Sequence, residues 1–410
     1  MVHGMIDSDT PRHSLSMPLS LQAAQLVPAN AITAAASKHF FRFLAGSLGI
    51  QVLPESAESG YSCCIHLCNE AAFYSRLSRG FGLGLGEGYV AGDWYSHQLD
   101  EVLFRLAKCL VRLSNLPPFR LAAYFREVGA RDHITAPTEG AANAAWHYGI
   151  DPSFFEAFLG PNMTYSSAYF GPGVRTLDEA QYLKIDQFLD VAQVGSGTTL
   201  LDIGSGWGTL AHRAARRSAK VTGITPVFQQ VEYAIKRQRT AGLKNIEFYC
   251  RDYRSIEGEY DVITSVEMIE AVGYRGLPLF LDRVSAGLRP GGRLALQFIS
   301  TSLSRMRSCI DRETWTRKYV FPGGDILASE YVLACAKENG LLLETTVDLT
   351  EHYVKTLESW RTALNNQFEV LSTASDAFKR TWLYYLSLSR AGFRAGDITC
   401  SQWILVKGDQ

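Results

Sequence analysis

The chain has 410 residues, enough for two or three domains, and 47% of them are hydrophobic, as in a globular protein with a sizeable core. Its 40 basic and 41 acidic residues leave a net charge of −1, so the chain as a whole has no electrostatic attraction to nucleic acid. No stretch approaches the ~20 consecutive apolar residues that a membrane-spanning helix needs, and the first residues lack the basic and apolar regions of a secretory signal. The eight cysteines are scattered and form no disulfide framework, which fits a reducing compartment. We therefore expect a cytoplasmic protein that does not bind nucleic acid.

The chain divides into four predicted segments. Residues 1–30 are polar and irregular, which predicts a flexible N-terminus. Residues 31–130 mix helical and strand patterns and predict a smaller N-terminal auxiliary domain. The small, polar stretch 131–145 predicts a linker. Residues 146–410 then form the predicted catalytic domain.

Two patterns in the auxiliary domain resemble ligand sites, and we interpret both as structural. Residues 80–88 (GFGLGLGEG) are glycine-rich, but no Lys-Ser/Thr pair of a phosphate-binding loop follows, so we expect a packed turn. Cys63, Cys64, His66 and Cys68 lack the second, separated ligand pair of a zinc site. This segment predicts a strand with mixed faces, and we assign no metal site.

An amphipathic helix is predicted over residues 99–113 (LDEVLFRLAKCLVRL). Its apolar residues lie on one side, and Arg105, Lys108 and Arg112 lie on another. Two interpretations stay open. The helix is either a core helix whose basic face meets water or a peripheral contact with an anionic membrane surface.

From residue 198 onward, apolar strands alternate with helices, which predicts right-handed crossovers and a doubly wound, mostly parallel α/β sheet. The predicted strands are 198–203, 220–224, 246–250, 260–266 and 293–299, with closing strands at 340–349 and 399–407. The predicted helices that follow the first two strands are 210–217 and 228–240. The aromatic-rich helical stretches 301–339 and 350–392 exceed what the sheet needs and are candidates for a lid.

The most informative segment is residues 200–208 (LLDIGSGWG), which follows the first strand of this α/β unit. Its glycine spacing is Gly-x-Gly-x-Gly, which differs from the Gly-x-Gly-x-x-Gly that holds a pyrophosphate at a helix N-terminus. Asp202 ends the strand, and Asp252 follows the third strand, where it can meet an adenine ring. This arrangement favours a nucleoside without phosphates, such as S-adenosylmethionine.

The chain resembles the cyclopropane-fatty-acid synthases and related lipid methyltransferases from about residue 70 to the C-terminus. The matching blocks are His147-Tyr148, 163–170 (MTYSSAYF), 202–208 (DIGSGWG), 221–225 (VTGIT) with Gln230, 265–273 (SVEMIEAVG), Gly291-Gly292 with 296–299 (LQFI), 319–324 (YVFPGG), His352-Tyr353 with Thr356, Leu357 and Trp360, and Phe393-Arg394 with Gly396. Residues 82–94 (GLGLGEGYVAGDW) also resemble the N-terminal domain of the full-length synthases.

This resemblance implies a class I methyltransferase fold: a mostly parallel sheet with one antiparallel strand, helical lid insertions and a smaller N-terminal domain. It implies S-adenosylmethionine as the cofactor. The residues expected to line its site are Tyr165, Ser166, Asp202, Gly204, Ser205, Gly206, Trp207, Gly208, Thr225, Gln230, Asp252 and Tyr253.

The resemblance also implies the reaction. A methyl group passes to a cis double bond of an unsaturated acyl chain, and a bound bicarbonate takes a proton from the resulting carbocation. Glu270, Tyr353 and the backbone at Ile299 match the bicarbonate-holding positions, and Gln297 and Ser167 stand at two further catalytic positions. We expect a homodimer that acts on an unsaturated acyl lipid at the inner face of a membrane.

Four serine or glutamine residues depart from the family pattern. Ser167 stands where many members carry cysteine, and Ser205 and Ser389 also replace cysteine. Gln297 replaces a histidine; its amide can donate to an anion but cannot take a proton as imidazole can. The product is therefore left open among a cyclopropane, a methylene branch and methylation of another acceptor.

Two other functions compete with this interpretation. One is a C- or N-methyltransferase of a natural product on the same scaffold. The other is a catalytically silent lipid-binding homologue. The intact loop with Asp202, together with Glu270, argues against the silent homologue, which needs neither.

Overall fold

The computed structural model describes residues 31–58, 63–114, 143, 150–309, 312–368 and 374–408. The predicted flexible N-terminus, nearly all of the predicted linker, and the His147-Tyr148 block lie outside these ranges. Within them, no helix is both long enough and apolar enough to cross a membrane. The division into an auxiliary and a catalytic domain stays a prediction.

Helices and strands alternate through most of the described chain. The α-helices are α1 (Ala31–Ser47), α2 (Glu70–Arg79), α3 (Phe81–Ala91), α4 (Leu99–Ser114), α5 (Pro152–Leu159), α6 (Leu177–Val191), α7 (Thr209–Arg216), α8 (Phe228–Thr240), α9 (Ile269–Gly287), α10 (Leu303–Cys309), α11 (Trp315–Tyr319), α12 (Ser329–Glu338), α13 (Thr350–Gln367) and α14 (Asp376–Ala395). The strands are β1 (Gln51–Pro54), β2 (Cys64–Leu67), β3 (Trp94–Tyr95), β4 (Thr199–Ile203), β5 (Lys220–Thr225), β6 (Ile246–Cys250), β7 (Tyr260–Val266), β8 (Leu288–Thr301), β9 (Leu327–Ala328), β10 (Leu341–Asp348) and β11 (Ile398–Lys407).

One large sheet carries the C-terminal part of the chain, in the order β10-β11-β8-β7-β4-β5-β6, with β9 paired to β8. The ladders from β8 through β6 are parallel, whereas β11 runs antiparallel to both β8 and β10. This confirms the predicted mostly parallel sheet with one antiparallel strand. Apolar residues of β4, β7 and β8 are buried on both sides of the sheet beneath the flanking helices, as parallel strands require.

Of the glycine-rich residues 80–88, Gly80 precedes α3 and the others form most of that helix, so the predicted packed turn is wrong. The glycines serve close packing between helices. A Cβ on Gly84 would overlap the backbone of Arg76 in α2, and one on Gly86 would overlap the ring of Trp315 in α11. These contacts compensate for the low helix propensity of glycine.

The strand predicted around Cys64 is present as β2, but its expected mixed faces are wrong. All four residues of β2, the central strand of the β1-β2-β3 sheet, are buried, so both faces of this strand are covered. The Cys64 Sγ lies 3.3 Å from His66 Nε2. Within the described residues, no group of three or more His, Cys, Asp or Glu side chains is placed to hold a metal ion.

The amphipathic helix predicted over 99–113 is confirmed as α4, and its two ends differ in environment. Leu99, Val102, Leu103 and Leu106 are buried, whereas Leu110 and Leu113 are 48% and 38% exposed. The first turns are buried because α4 packs on α14, where Asp100 forms an ion pair with Arg390 at 3.0 Å. Arg105 bonds to Glu101 and to the carbonyl oxygens of Leu48 and Gly49, so it is used within the fold.

The helices of the predicted lid stretch 350–392 share one hydrophobic core with the N-terminal elements. Trp94 after α3 lies in the same cluster as Trp360 of α13 and Trp382 of α14. Ser375 caps the start of α14, and Gly396 at φ +71 ends it. Helices α13 and α14 are therefore held by packing against the N-terminal elements, and α14 is also capped at both of its ends.

Candidate active site

A cavity of about 200 Å³ opens at the carboxyl ends of the parallel strands β4 to β7, where such sheets bind ligands. Of the residues expected to hold the cofactor, those that line it are Tyr165, Ser166, Asp202, Gly204, Ser205, Gly206, Trp207, Thr225, Gln230, Asp252 and Tyr253. The structure thus brings together residues that are spread over nearly 90 positions of sequence. The expected Gly208 lies outside this lining.

The loop between β4 and α7 leaves space for a ligand because its glycines have no side chains. Gly204 has φ +74, and a Cβ there would lie 2.7 Å from Met268 Cγ. Gly208, at φ +86, precedes α7, and a Cβ there would lie 2.9 Å from Ala234 Cβ. Gly208 therefore permits the close approach of α7 to α8, which is a structural role beneath the site.

Three polar contacts fix the walls of the cavity. Asp202 accepts a hydrogen bond from Thr264 at 2.8 Å, and burial raises the pKa of its carboxyl group to about 6. At the end of β5, the Thr225 hydroxyl donates to Gln230 Oε1 at 2.8 Å. After β6, Asp252 accepts from the backbone N–H of Arg254 at 2.9 Å, which holds the carboxylate at the strand end.

Lys184, which was not predicted from the sequence, lines the cavity and is only 1% exposed. Its Nζ donates to the Ser166 Oγ at 2.8 Å. Burial lowers its pKa to about 8, and the negative charges of Glu267 and Asp202 oppose that shift. Lys184 lies in α6, and its spacing within that helix gave no signal of a functional role.

The most important missed residue is Glu267, which follows directly after β7 and lines the cavity. Its Oε1 accepts from the Ser167 backbone N–H at 2.9 Å and from Gln297 Nε2 at 2.8 Å, and its Oε2 accepts from the Tyr353 hydroxyl at 2.6 Å. Gln402 Nε2 donates to Gln297 Oε1 at 2.9 Å, which turns the Gln297 amide nitrogen toward Glu267. The sequence signal that could have identified Glu267 is its position at the carboxyl end of a parallel strand, where such sheets bind ligands.

Glu270 lies nearby and has different contacts. Its Oε1 accepts from the Ile299 backbone N–H at 2.5 Å, and its buried Oε2 has no hydrogen-bond partner in the described structure. Burial, followed by the charge of Glu267, raises the pKa of Glu270 to about 8. The Glu270 carboxyl group is therefore mostly protonated at neutral pH.

The five expected catalytic residues thus meet in space, but around a protein carboxylate. Ser167, Gln297 and Tyr353 all bond to Glu267, while Ile299 bonds to Glu270. Ser167 contributes its backbone, and its hydroxyl donates to the Ala168 carbonyl oxygen at 3.1 Å. The expected bicarbonate does not fit this arrangement, because its donors are already engaged and two carboxyl groups lie beside its place.

Aromatic side chains border the site on the side of α13 and α14. Tyr165, which lines the cavity, packs on Trp360 with ring centroids 5.2 Å apart, and its hydroxyl donates to that of Tyr385 at 3.4 Å. Tyr353 packs on Phe393 at 4.5 Å. This wall excludes water and offers an apolar surface next to the buried carboxylates.

A glycine-rich loop after the first strand of a doubly wound sheet, with an acidic side chain after the third, defines a class I S-adenosylmethionine-dependent methyltransferase. The cavity fits that cofactor because the loop borders it with bare backbone at Gly204, where even a single Cβ would lie too close to the Met268 side chain. A family model described as mycolic acid cyclopropane synthetase matches residues 135–403, and the chain belongs to this family.

Relatives and solved structures agree with this assignment. The chain is 36% identical over 351 residues to tuberculostearic acid methyltransferase UfaA1 of Mycobacterium tuberculosis, covering 82% of this chain and 81% of that protein. It is 30% identical over 339 residues to the cyclopropane-fatty-acyl-phospholipid synthase of Escherichia coli, covering 82% and 86%. The structure of mycolic acid cyclopropane synthase CmaA1 complexed with SAH and CTAB has a TM-score of 0.61 and 28% identity, covering 65% of this chain and 98% of that one. The chain is therefore an enzyme of S-adenosylmethionine-dependent methyl transfer on lipids.

Proposed function

We propose that the enzyme transfers a methyl group from S-adenosylmethionine to the cis double bond of an unsaturated acyl chain in a phospholipid. The product is a cyclopropane or a methyl- or methylene-branched chain. The observation that carries this proposal is the pairing of an aromatic wall at Tyr165 and Trp360 with the buried carboxylate of Glu267 at the same cavity.

The cofactor supplies an electrophilic methyl group on a sulfonium. The chain's own residues then have three tasks. The loop at Gly204 leaves room for the nucleoside, the aromatic wall admits an apolar chain and excludes water, and a basic group must take a proton from the cation that methylation leaves. The family resemblance implied bicarbonate for the last task, but the Ser167, Gln297 and Tyr353 donors at that place are bonded to Glu267.

The proposal includes contact with a membrane surface through the end of α4. Lys108, Leu110, Arg112 and Leu113 are all exposed there, so basic and apolar groups are available together. Such segments bind anionic lipid at about 1 kcal/mol per basic residue near the surface. Three further basic residues of the sequence that follows α4, Arg120, Arg126 and Arg131, lie outside the described residues. The proposal places the enzyme in the cytoplasm at the inner membrane face. It also includes a homodimer, which light scattering of the purified chain tests.

The test is mass spectrometry of phospholipids from cells that express the chain. Unsaturated acyl chains should gain the mass of one CH2 group, and NMR then distinguishes ring from methylene products. Cells that express Gly204→Val serve as the control, because that side chain fills the cofactor loop. Unchanged lipids, together with methylation of a non-lipid extract, would favour the natural-product methyltransferase.

A further inference from the structure

The buried carboxylate of Glu267 is held as an external anion would be held. Three donors from three different parts of the chain converge on it: the Ser167 backbone N–H, the Gln297 amide and the Tyr353 hydroxyl. The Cys400 thiol lies 3.7 Å from Oε1 as a fourth, weaker donor. Side chains fixed by this many hydrogen bonds are pre-organised, so no reorganisation is needed when charge develops nearby.

The backbone at Glu267 is unusual in a way that supports a functional role. Its φ is +49, in the left-handed region that non-glycine residues rarely adopt. Such conformations persist where the surrounding structure enforces them, and they cluster at active sites. Here the Glu267 N–H donates to the Gln297 carbonyl oxygen at 2.7 Å, which extends the β7–β8 ladder by one residue and directs the side chain into the site.

Burial raises the pKa of Glu267, whereas its hydrogen bonds from Tyr353, Ser167 and Gln297 and the charge of Lys184 oppose that shift. These surroundings stabilise its ionised form against burial and disfavour a second anion. Lys184 is buried in the same cavity wall and supplies a compensating positive charge. Glu270 is driven toward its neutral form by its burial and by the charge of Glu267. A bicarbonate ion placed among these residues would meet like charge, and the Ser167, Gln297 and Tyr353 donors are already bonded to Glu267.

We propose that Glu267 is the catalytic base of the methyl transfer, and that its carboxylate takes the place that the family resemblance gave to bicarbonate. This inference rests on the proposed function. The lipid double bond attacks the methyl carbon as the C–S bond breaks, leaving a neutral thioether and a cation on the acyl chain. Glu267 then takes one proton, and the electrons of that C–H bond close the ring or form a new double bond. The neutral carboxyl group returns the proton to water after the product leaves.

Two substitutions separate this role from a structural one. Glu267→Gln keeps the shape but removes the basic oxygen, so turnover should fall by about 100-fold or more while S-adenosylmethionine affinity stays within a few-fold. Glu267→Gly suits the backbone, since glycine adopts positive φ without strain, and it frees the three donors. Its activity should be low without bicarbonate and should recover when bicarbonate is added.

The assay uses the full chain with S-adenosylmethionine and vesicles of an unsaturated phosphatidylglycerol, in buffer purged of carbon dioxide or supplemented with bicarbonate. A second readout is NMR line broadening of isotopically labelled bicarbonate, which Glu267→Gly should cause and the wild type should not. The matched control is Gln193→Gly, another positive-φ position, at φ +60 and outside the cavity lining, which should behave as wild type.

Wild-type turnover that is indifferent to bicarbonate, with an inactive Glu267→Gln, supports the proposal. Wild-type turnover that requires bicarbonate, an active Glu267→Gln, or a folded Glu267→Gly that neither binds nor uses bicarbonate would each overturn it. Absence of methylated lipid from the wild type in every buffer refutes the proposed function itself, which is a separate outcome.

Discussion

Replacing Glu270 with glutamine should remove a pH-dependent loss of stability. Burial, followed by the charge of Glu267, raises the Glu270 pKa from 4.5 to about 8 in the folded protein. A carboxyl group with a raised folded pKa stabilises the fold fully below its unfolded pKa. That contribution is lost as the pH rises toward the folded value, because the unfolded chain releases the proton first. Glutamine resembles the neutral carboxyl group, so Glu270→Gln should not show this loss.

The magnitude follows from linkage. Each pH unit within the window from about 4.5 to about 8 changes the wild-type free energy of unfolding, relative to the variant, by up to about 1.4 kcal/mol. Between pH 5 and pH 7 the difference is therefore at most about 3 kcal/mol, which corresponds to roughly 3 to 5 °C in Tm for a chain of this size. Asp202, with a pKa raised to about 6, has the same sign of effect but is present in both proteins, so it cancels in the comparison.

The assay is thermal unfolding of wild type and Glu270→Gln across this pH range without cofactor. The two Tm values should draw closer as the pH falls and separate in favour of the variant as it rises. The control is Glu259→Gln, at an exposed carboxylate, whose Tm should stay parallel to wild type. Parallel curves for Glu270→Gln would show that this carboxyl group ionises as freely when folded as when unfolded, and the electrostatic account of the site would fail.

Two further predictions concern the cofactor and the membrane. Gly204→Val should abolish S-adenosylmethionine binding in calorimetry because its side chain fills the loop against Met268, and Asp202→Ala should weaken binding because it removes a buried acceptor from the lining. The control is Gly197→Ala, at φ +83 with no atom within 4 Å of its Cβ, which carries similar backbone strain and should bind the cofactor normally. Unchanged affinity in both site variants would remove the cofactor assignment. The double variant Lys108→Glu, Arg112→Glu should sediment less with anionic vesicles and turn over less lipid on them. Binding of the wild type to these vesicles should weaken as the salt concentration rises. If the double variant behaves like the wild type, α4 has only a packing role.

The elements of this protein that depend on local pattern are predictable from its amino-acid sequence. The helix at 228–240 and the strands at 246–250 and 260–266 were predicted to the residue, because apolar periodicity and strand–helix alternation are properties of short segments. The loop at Gly204 was predicted for the same reason, since its glycine spacing and its position after a buried strand are both visible in the chain. The glycines of α3 were misinterpreted as a turn because their partners, Arg76 and Trp315, are supplied by other helices.

Which carboxylate the catalytic residues surround depends instead on contacts between segments that are far apart in the sequence. Ser167, Gln297 and Tyr353 are separated by 130 and 56 positions. The resemblance assigned Tyr353, with Glu270, to a bound bicarbonate, and Ser167 and Gln297 to two further catalytic positions. Their hydrogen bonds go to Glu267 instead, because β7 and β8 are neighbours in the sheet and α13 brings Tyr353 over their ends. Lys184 was missed for the same reason: its burial and its neighbours arise from packing between distant segments, and such contacts leave no periodic signal in the sequence.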